Sequence, residues 1–137
     1  MGTRQPELYG SENLLALERF LSSRALSFEQ IGLGSCSLSF FQSNNEAEFL
    51  SILSQGWDGV LLNAGAWTHT SLALADRLLG LQVPFIEVHL SNLAKRESFR
   101  KRSYAAPHAR AVVHGAGFDS YAMGLYGLLS HLSSVFL

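Results

Sequence analysis

An apolar run from Pro84 to Leu90 contains two polar side chains whose types and spacing suit acid–base chemistry. Glu87 and His89 are two residues apart, so in an extended strand their side chains point to the same side. A carboxylate beside an imidazole raises the basicity of the ring and fixes its orientation, a common arrangement for a general acid. The run therefore predicts a buried strand over 84–88 with a functional pair near its carboxyl end.

Hydroxyl and basic side chains continue in the loop that follows this strand. Ser91 and the backbone N–H groups near it could hold a carboxylate. Arg96 and Arg100 are four residues apart, a spacing that on a helix presents two cations to one ligand. The same spacing occurs in a solvated basic turn, and the residues alone do not separate the two interpretations.

A second polar loop follows the short apolar segment 59–62. Asn63 and His69 lie in a stretch of small residues and hydroxyls, where the backbone could approach a ligand closely. The N–H groups at the start of the next helix favour an anion. The alternative is a loop with a capping threonine and an incidental histidine. Asp76 lies further along that helix, where a solvated carboxylate is the ordinary interpretation.

The N-terminal segment offers a candidate base. Tyr9 lies between Pro6 and Gly10, with Arg4 nearby. A guanidinium stabilises a tyrosinate, so this tyrosine could remove a proton. A loop tyrosine packed on the surface is the ordinary alternative.

These candidate residues need a scaffold, and the chain supplies alternating helices and short apolar strands. Helical spacing and capping residues predict helices over 11–31, 45–55, 68 or 70 to 81, and from Asp119 onward. Unbroken apolar or alternating runs predict strands over 35–41, 59–62, 84–88 and 111–113. This alternation is typical of an α/β fold with a parallel sheet covered on both faces. Ligands of such sheets bind at the carboxyl ends of the strands.

Length and composition narrow the class of protein. The 137 residues fit one domain, and 47% hydrophobic with only 15% charged residues indicates a core and a surface partly covered in an oligomer. The net charge of −1 argues against a general nucleic-acid binder. Cys36 is the single cysteine, so no internal disulfide is expected. The chain shows no signal peptide and no run of about 18 apolar residues, which predicts a cytoplasmic protein without a membrane span.

Taken together, these segments resemble the type II 3-dehydroquinate dehydratases. The resemblance extends from Arg4 to about Leu125 and rests on four ordered segments, 4–10, 41–46, 63–71 and 86–104. It implies a flavodoxin-like three-layer fold with a parallel sheet, formed by residues 1–137 as a single domain. It also implies a hydro-lyase of the shikimate pathway that converts 3-dehydroquinate to 3-dehydroshikimate by trans-dehydration through an enolate. Neither a metal nor a cofactor is expected, and the expected assembly is a homododecamer built from trimers.

The resemblance also implies a role for each matching residue. Tyr9 would remove the proton from carbon 2, and Arg4 would stabilise the tyrosinate. His89, oriented by Glu87, would protonate the departing hydroxyl. The residues expected to bind substrate, with Asp76 reaching the site of a neighbouring subunit, are Asn63, His69, Asp76, Leu90, Ser91, Arg96 and Arg100.

The chain departs from the family pattern at its start. Members open with a strand and an asparagine-containing loop, and Met1-Gly2 stands where that loop would end. The absent strand would lie centrally, so its neighbours are expected to have unpaired edges. We therefore expect a truncated form of the enzyme. The alternative is a non-catalytic oligomeric or metabolite-binding homologue, because the asparagine that helps to stabilise the enolate is missing.

Overall fold

The computed structural model describes residues 14–135, which alternate helices with short strands. The helices are α1 (Leu14–Gln30), α2 (Glu46–Ile52), α3 (Leu72–Leu79) and α4 (Asp119–Val135), and the strands are β1 (Val60–Leu62), β2 (Phe85–His89) and β3 (Ala111–His114). Short 3-10 turns form the loops after β1 and β2, at Gly65–His69, Leu93–Lys95, Ser98–Arg100 and Ala106–His108. The strands predicted over 59–62, 84–88 and 111–113 are confirmed to within about a residue.

Within residues 14–135 the strands form a three-stranded parallel sheet in the order β1-β2-β3. Leu62 is opposite Glu87, and His89 is opposite His114. Because the strands are parallel, their carboxyl ends meet at one edge of the sheet. The loops after β1 and β2 therefore start side by side.

Helices cover both faces of the sheet. On one face α1 and α4 pack against β2 through a core cluster that includes Leu21, Val88 and Leu125. On the other face α3 packs through a second cluster that includes Leu74 and Phe85. The α/β three-layer prediction is confirmed, since alternate residues of β2 contribute to the two clusters. None of the helices in residues 14–135 is long and apolar enough to cross a membrane.

Close approach of α4 to the sheet depends on a residue without a side chain. A Cβ atom on Gly124 would lie 3.2 Å from Val88 Cγ2 and 3.3 Å from Leu61 Cδ2. Both contacts are tighter than ordinary van der Waals separation. The helix backbone can therefore rest on β1 and β2 only because this position is glycine.

The strand predicted over 35–41 is wrong. Residues 35–43 have no regular secondary structure and line a cleft beside β1. Leu38 and Phe40 still pack against the first core cluster, which explains the alternating pattern that predicted a strand. A strand requires hydrogen bonds to a neighbour, and no strand of the described part of the chain lies beside this segment.

The start of α3 also differs from prediction. The helix expected to begin at Thr68 or Thr70 begins at Leu72, because Ser71 caps it by accepting a hydrogen bond from Leu74 N–H at 2.9 Å. The Ser71 hydroxyl in turn donates to a carboxylate oxygen of Glu46 in α2. The first helix ends at Gln30, close to the prediction, whereas its predicted start at 11 lies outside the described residues.

We predict that Gly124→Ala destabilises the fold. The added methyl overpacks the α4–sheet interface, which costs about 1–3 kcal/mol, and better helix propensity returns about 1 kcal/mol. Thermal unfolding should therefore show a lower midpoint. Gly80→Ala is the control, because the atom nearest to its Cβ is Arg77 O at 3.7 Å. A Gly124→Ala midpoint at or above that of Gly80→Ala would contradict the packing argument.

Candidate active site

The central feature of the site is a buried carboxylate–imidazole pair on β2. Glu87 Oε1 lies 2.6 Å from His89 Nε2, and the two residues are 1% and 5% exposed. This confirms that both side chains point to the same face of the strand. Since an ionised carboxylate can only accept hydrogen bonds, it holds the ring with the proton on Nε2. The other nitrogen, Nδ1, is left to exchange protons.

A serine that the sequence analysis did not select anchors the carboxylate. The Ser103 hydroxyl donates to the carboxylate of Glu87, and its oxygen lies 2.9 Å from Oε1 and 3.0 Å from Oε2. Its oxygen also accepts hydrogen bonds from the N–H groups of Ala105 and Ala106. Ser103 lies within the segment 86–104 on which the family resemblance rests. It is 16 positions from Glu87 in sequence, and only the folded loop brings the two side chains together.

The loop after β1 brings a second imidazole to the pair. The His69 ring stacks on the His89 ring, with centroids 6.1 Å apart and an interplanar angle of 21°. His69 Nδ1 lies 2.6 Å from the carbonyl oxygen of Arg102. Tyr104 N–H donates to Thr68 O at 2.8 Å, which joins the same two loops. The loops predicted separately from the sequence therefore form one site.

Asn63 lies at the carboxyl end of β1, as predicted. Its Oδ1 accepts from Gly65 N–H at 3.1 Å, which orients the amide. Its Nδ2 donates to the hydroxyl of Tyr121 in α4 at 3.0 Å. Tyr121 is a further residue that sequence reasoning missed, because its partner is 58 positions away.

The two arginines meet, although not on a helix. Arg96 directly follows the 3-10 turn Leu93–Lys95, and Arg100 ends the 3-10 turn Ser98–Arg100, so the two residues do not share one α-helix. Their Nε atoms lie 3.5 Å and 3.0 Å from the same Glu97 oxygen, Oε2. Arg96 Nη1 also donates to Ser91 Oγ at 3.2 Å. The two cationic groups therefore converge on one carboxylate of the chain, and Arg96 also contacts Ser91.

The electrostatics of Glu97 follow from these contacts. A hydrogen bond from its own backbone, and then the charges of Arg96 and Arg100, hold the pKa of this exposed carboxyl below its ordinary value of 4.5. Glu97 therefore remains ionised well into mildly acidic solution. It keeps the two guanidinium groups together throughout the neutral range.

Two of the predicted binding residues, Leu90 and Asp76, do not point their side chains toward the Glu87–His89 pair. Leu90 is buried in the first core cluster, so only its backbone is left to contact a ligand. Asp76 is exposed on α3 and lines a separate groove with Arg77 and Gly80.

Tyr9 and Arg4 lie outside the described residues. No three His, Cys, Asp or Glu side chains between residues 14 and 135 are grouped to hold a metal ion.

A buried acid–base pair at the carboxyl edge of a parallel α/β sheet defines a class of site that moves protons on a bound small molecule. The comparison with protein families identifies which one. Residues 1–129 match dehydroquinase class II, and the chain belongs to that family.

Individual relatives agree with this assignment. The 3-dehydroquinate dehydratase of Synechococcus sp. (strain WH7803) is 46% identical, and the alignment covers 98% of this chain and 90% of that protein. The enzyme of the same name from Prochlorococcus marinus (strain MIT 9515) is 41% identical over the same shares of the two chains. The crystal structure of the type II dehydroquinase from Butyrivibrio crossotus superposes with a TM-score of 0.82 at 31% identity, covering 93% of this chain and 87% of that one.

We predict that Glu97→Gln opens the 91–100 loop. Without its negative charge the side chain no longer offsets the repulsion between Arg96 and Arg100, so both side chains become more accessible. Trypsin should then cleave after these two arginines about threefold to tenfold faster, because cleavage follows local opening. Mass spectrometry of the fragments identifies the sites.

Glu29→Gln is the matched control, since Glu29 lies at the end of α1 and contacts neither arginine. Equal cleavage rates at Arg96 and Arg100 in the two variants would contradict the proposed role of Glu97.

Proposed function

We propose that this chain catalyses the dehydration of 3-dehydroquinate to 3-dehydroshikimate in the shikimate pathway. The observation that carries the proposal is the buried Glu87–His89 pair at the carboxyl end of β2. The family assignment and the relatives named 3-dehydroquinate dehydratase supply the substrate. They do not favour the non-catalytic alternative.

Removing water beside a ketone requires three things of the protein. A base must take the proton from carbon 2, and the negative charge must be accommodated as an enolate. The carbon–oxygen bond to the hydroxyl then breaks as an acid donates a proton, and water leaves. One proton goes to the base and one comes from the acid, so the protein must exchange them before the next turnover.

His89 supplies the acid in this scheme. Its ring is fixed by Glu87 through Nε2, and Ser103 fixes Glu87 from the other side. The cation that forms when Nδ1 is protonated lies against a carboxylate, which stabilises the charged ring. The ring therefore has a counter-ion beside it when it delivers its proton to the leaving hydroxyl.

Tyr9 supplies the base, and Arg4 stabilises its anion. This assignment rests on the match of residues 4–10 to the family and on the chemistry of a tyrosinate beside a guanidinium. It gives the reaction a base that comes from a different segment from the acid. Elimination in the trans sense requires the two groups on opposite faces of the substrate.

The remaining residues hold the substrate. His69 stacks on His89, and Asn63 follows the neighbouring strand β1, so they offer an imidazole and an amide to ring hydroxyls. Ser91 and the backbone of Leu90 begin the loop after β2 and suit the substrate carboxylate. Arg96 and Arg100 close over the site from the same loop, and Asp76, exposed on α3, completes the site of a neighbouring subunit.

The proposal includes the setting of the enzyme. No metal or organic cofactor is required, because proton transfers and hydrogen bonds suffice for this elimination. Trimers that gather into a dodecamer would place the exposed Asp76 at a subunit boundary. We propose a cytoplasmic location, where the substrate would be available.

We predict that His89→Gln lowers kcat by about 10²–10⁴-fold, since that is the usual contribution of a general acid. The product is a conjugated enone, so turnover is followed directly by ultraviolet absorption. His108→Gln is the control, because His108 is an exposed histidine in a 3-10 turn. Absence of turnover by the unaltered chain, or full activity of His89→Gln, would contradict the proposal.

The base is tested in the same assay. Tyr9→Phe should lower kcat by a similar factor, about 10²–10⁴-fold, because phenylalanine cannot accept the proton. Tyr126→Phe is the matched control, since Tyr126 is an exposed residue of α4 that packs edge-on against the Phe28 ring. Unchanged kcat in Tyr9→Phe would remove Tyr9 from the mechanism and leave the assignment of His89 standing.

We predict that Ser103→Ala lowers kcat about 10-fold to 100-fold, because a small misplacement of an acid costs that much. KM should change little, since Ser103 acts through Glu87. Ser103→Thr keeps a hydroxyl and should therefore retain most of the kcat of the unaltered chain. Ser133→Ala, which removes a hydroxyl bonded to Leu33 O, is the control. Equal kcat values in the two alanine variants would show that Ser103 does not position the pair.

A further inference from the structure

Tyr121 brings a hydroxyl into the first core cluster. The residue lies in the first turn of α4 and is 9% exposed. Other members of that cluster include Val88, Leu125 and Leu128. Phenylalanine would bury as much apolar surface at this position, and a buried hydroxyl is costly unless it is hydrogen-bonded. The hydroxyl is therefore best explained by the residue that it contacts, Asn63.

The side-chain amide of Asn63 is held at both of its polar atoms. Gly65 N–H donates to Oδ1 at 3.1 Å, and Nδ2 donates to the Tyr121 hydroxyl at 3.0 Å. A backbone N–H can only donate, so the atom that faces Gly65 must be the amide oxygen. The atom that faces Tyr121 is then the amide nitrogen. Since Nδ2 carries two hydrogens, the contact with Tyr121 uses one of them.

The second Nδ2 hydrogen is the part of the amide that a ligand can use. Asn63 directly follows β1 at the carboxyl edge of the sheet and is only half-buried. Its oxygen faces the backbone of its own loop, at Gly65. The side chain therefore presents a hydrogen-bond donor, which suits an oxygen of a hydroxyl or carboxylate group.

The turn before α4 fixes the position of Tyr121 relative to β2. Gly117 N–H donates to Leu90 O at 3.1 Å, which ties this turn to the residue that follows β2. Gly117 has a φ of 58°, in the left-handed region that favours glycine. The buried Ser120 hydroxyl accepts from Ala116 N–H at 3.0 Å and closes the turn. The Tyr121 hydroxyl thus reaches the loop after β1 from a helix that is anchored at the end of β2.

We propose that Tyr121 is a positioning residue for the proposed reaction. Its hydroxyl holds the Asn63 amide so that the second Nδ2 hydrogen meets an acceptor oxygen of the substrate. Tyr121 acts through Asn63, in the way that Ser103 acts through Glu87. The inference rests on the proposed function for the identity of the substrate, whereas the geometry of the amide is independent of it.

A purely structural role for the hydroxyl, joining α4 to the end of β1, leads to a different expectation. The loss of the Tyr121 hydroxyl and the loss of the Asn63 amide would then act separately, and their effects on substrate binding would add. A positioning role requires the opposite result. Removal of the hydroxyl should have no further effect on binding once the amide that it holds is gone.

Steady-state kinetics of Tyr121→Phe, Asn63→Ala and the double variant separate these two roles. Tyr121→Phe keeps the buried ring and should raise KM about threefold to tenfold, the usual range for one net hydrogen bond. Its kcat should change less than about twofold, because a contact made equally in the ground and transition states affects KM alone. In the Asn63→Ala background, Tyr121→Phe should change KM by less than about twofold. Tyr126→Phe, an exposed tyrosine of the same helix, is the matched control.

Side-chain amide ¹H–¹⁵N NMR tests the contact without substrate. The two Asn63 amide hydrogens are assigned by their loss from the spectrum of Asn63→Ala. Tyr121→Phe should shift the Asn63 resonances, because one of these hydrogens loses its acceptor. Tyr126→Phe should leave them unchanged.

Three results would overturn the inference while leaving the proposed reaction intact. An unchanged KM in Tyr121→Phe would show that the hydroxyl does not assist binding. Additive effects on KM in the double variant would show that it acts apart from Asn63. Unchanged Asn63 resonances in Tyr121→Phe would show that the two groups are not bonded.

Failure of the proposed function has a different signature. Absence of turnover by the unaltered chain would contradict the reaction, and with it the kinetic role of Tyr121. The spectrum would still test the contact between Tyr121 and Asn63, since it requires no substrate.

Discussion

The hydrogen bond between Glu87 and His89 is the constraint around which this structure is organised. Both side chains are almost completely buried on the central strand of the described sheet. Burial of such groups is costly unless each polar atom has a partner. The surrounding loops supply those partners, and their positions follow from that requirement.

The Glu87 carboxylate binds the segment that follows the 3-10 turn Ser98–Arg100 in the loop after β2. Ser103 bonds both oxygens of Glu87 and also accepts the N–H groups that begin the turn at Ala106–His108. The neighbouring Tyr104 bonds the backbone of Thr68, which brings the loop after β1 into the site. His69 then stacks on His89. One buried pair thus lies where two loops meet whose contacting residues, His69 and Arg102, are 33 positions apart in sequence.

The part of the fold that depends on local pattern could be predicted from the sequence. The apolar runs at 59–62 and 84–88 are strands because parallel sheets bury both faces, and Glu87 and His89 share a face because strands alternate. The segment 35–41 alternates polar and apolar residues but forms no strand, since a strand also needs a neighbour. Pattern describes the side chains of a strand and says nothing about whether a partner for its backbone is present.

Long-range contacts explain what prediction missed. Ser103 and Tyr121 are ordinary polar residues until the fold brings them to Glu87 and Asn63. The spacing of Arg96 and Arg100 left a ligand-binding pair and a solvated basic turn equally open, and the loop directs both cations to Glu97. The roles of Tyr9 and Arg4 rest on sequence similarity, because they lie outside the described residues.

The central claim is that Glu87 fixes the neutral His89 ring with its proton on Nε2, so that Nδ1 is the nitrogen that exchanges a proton with the substrate. Long-range ¹H–¹⁵N correlation spectra of the histidine side chains measure this directly. We expect a protonated Nε2 and an unprotonated Nδ1 for the neutral His89 ring. A proton on Nδ1, or a ring that averages between the two tautomers, would contradict it.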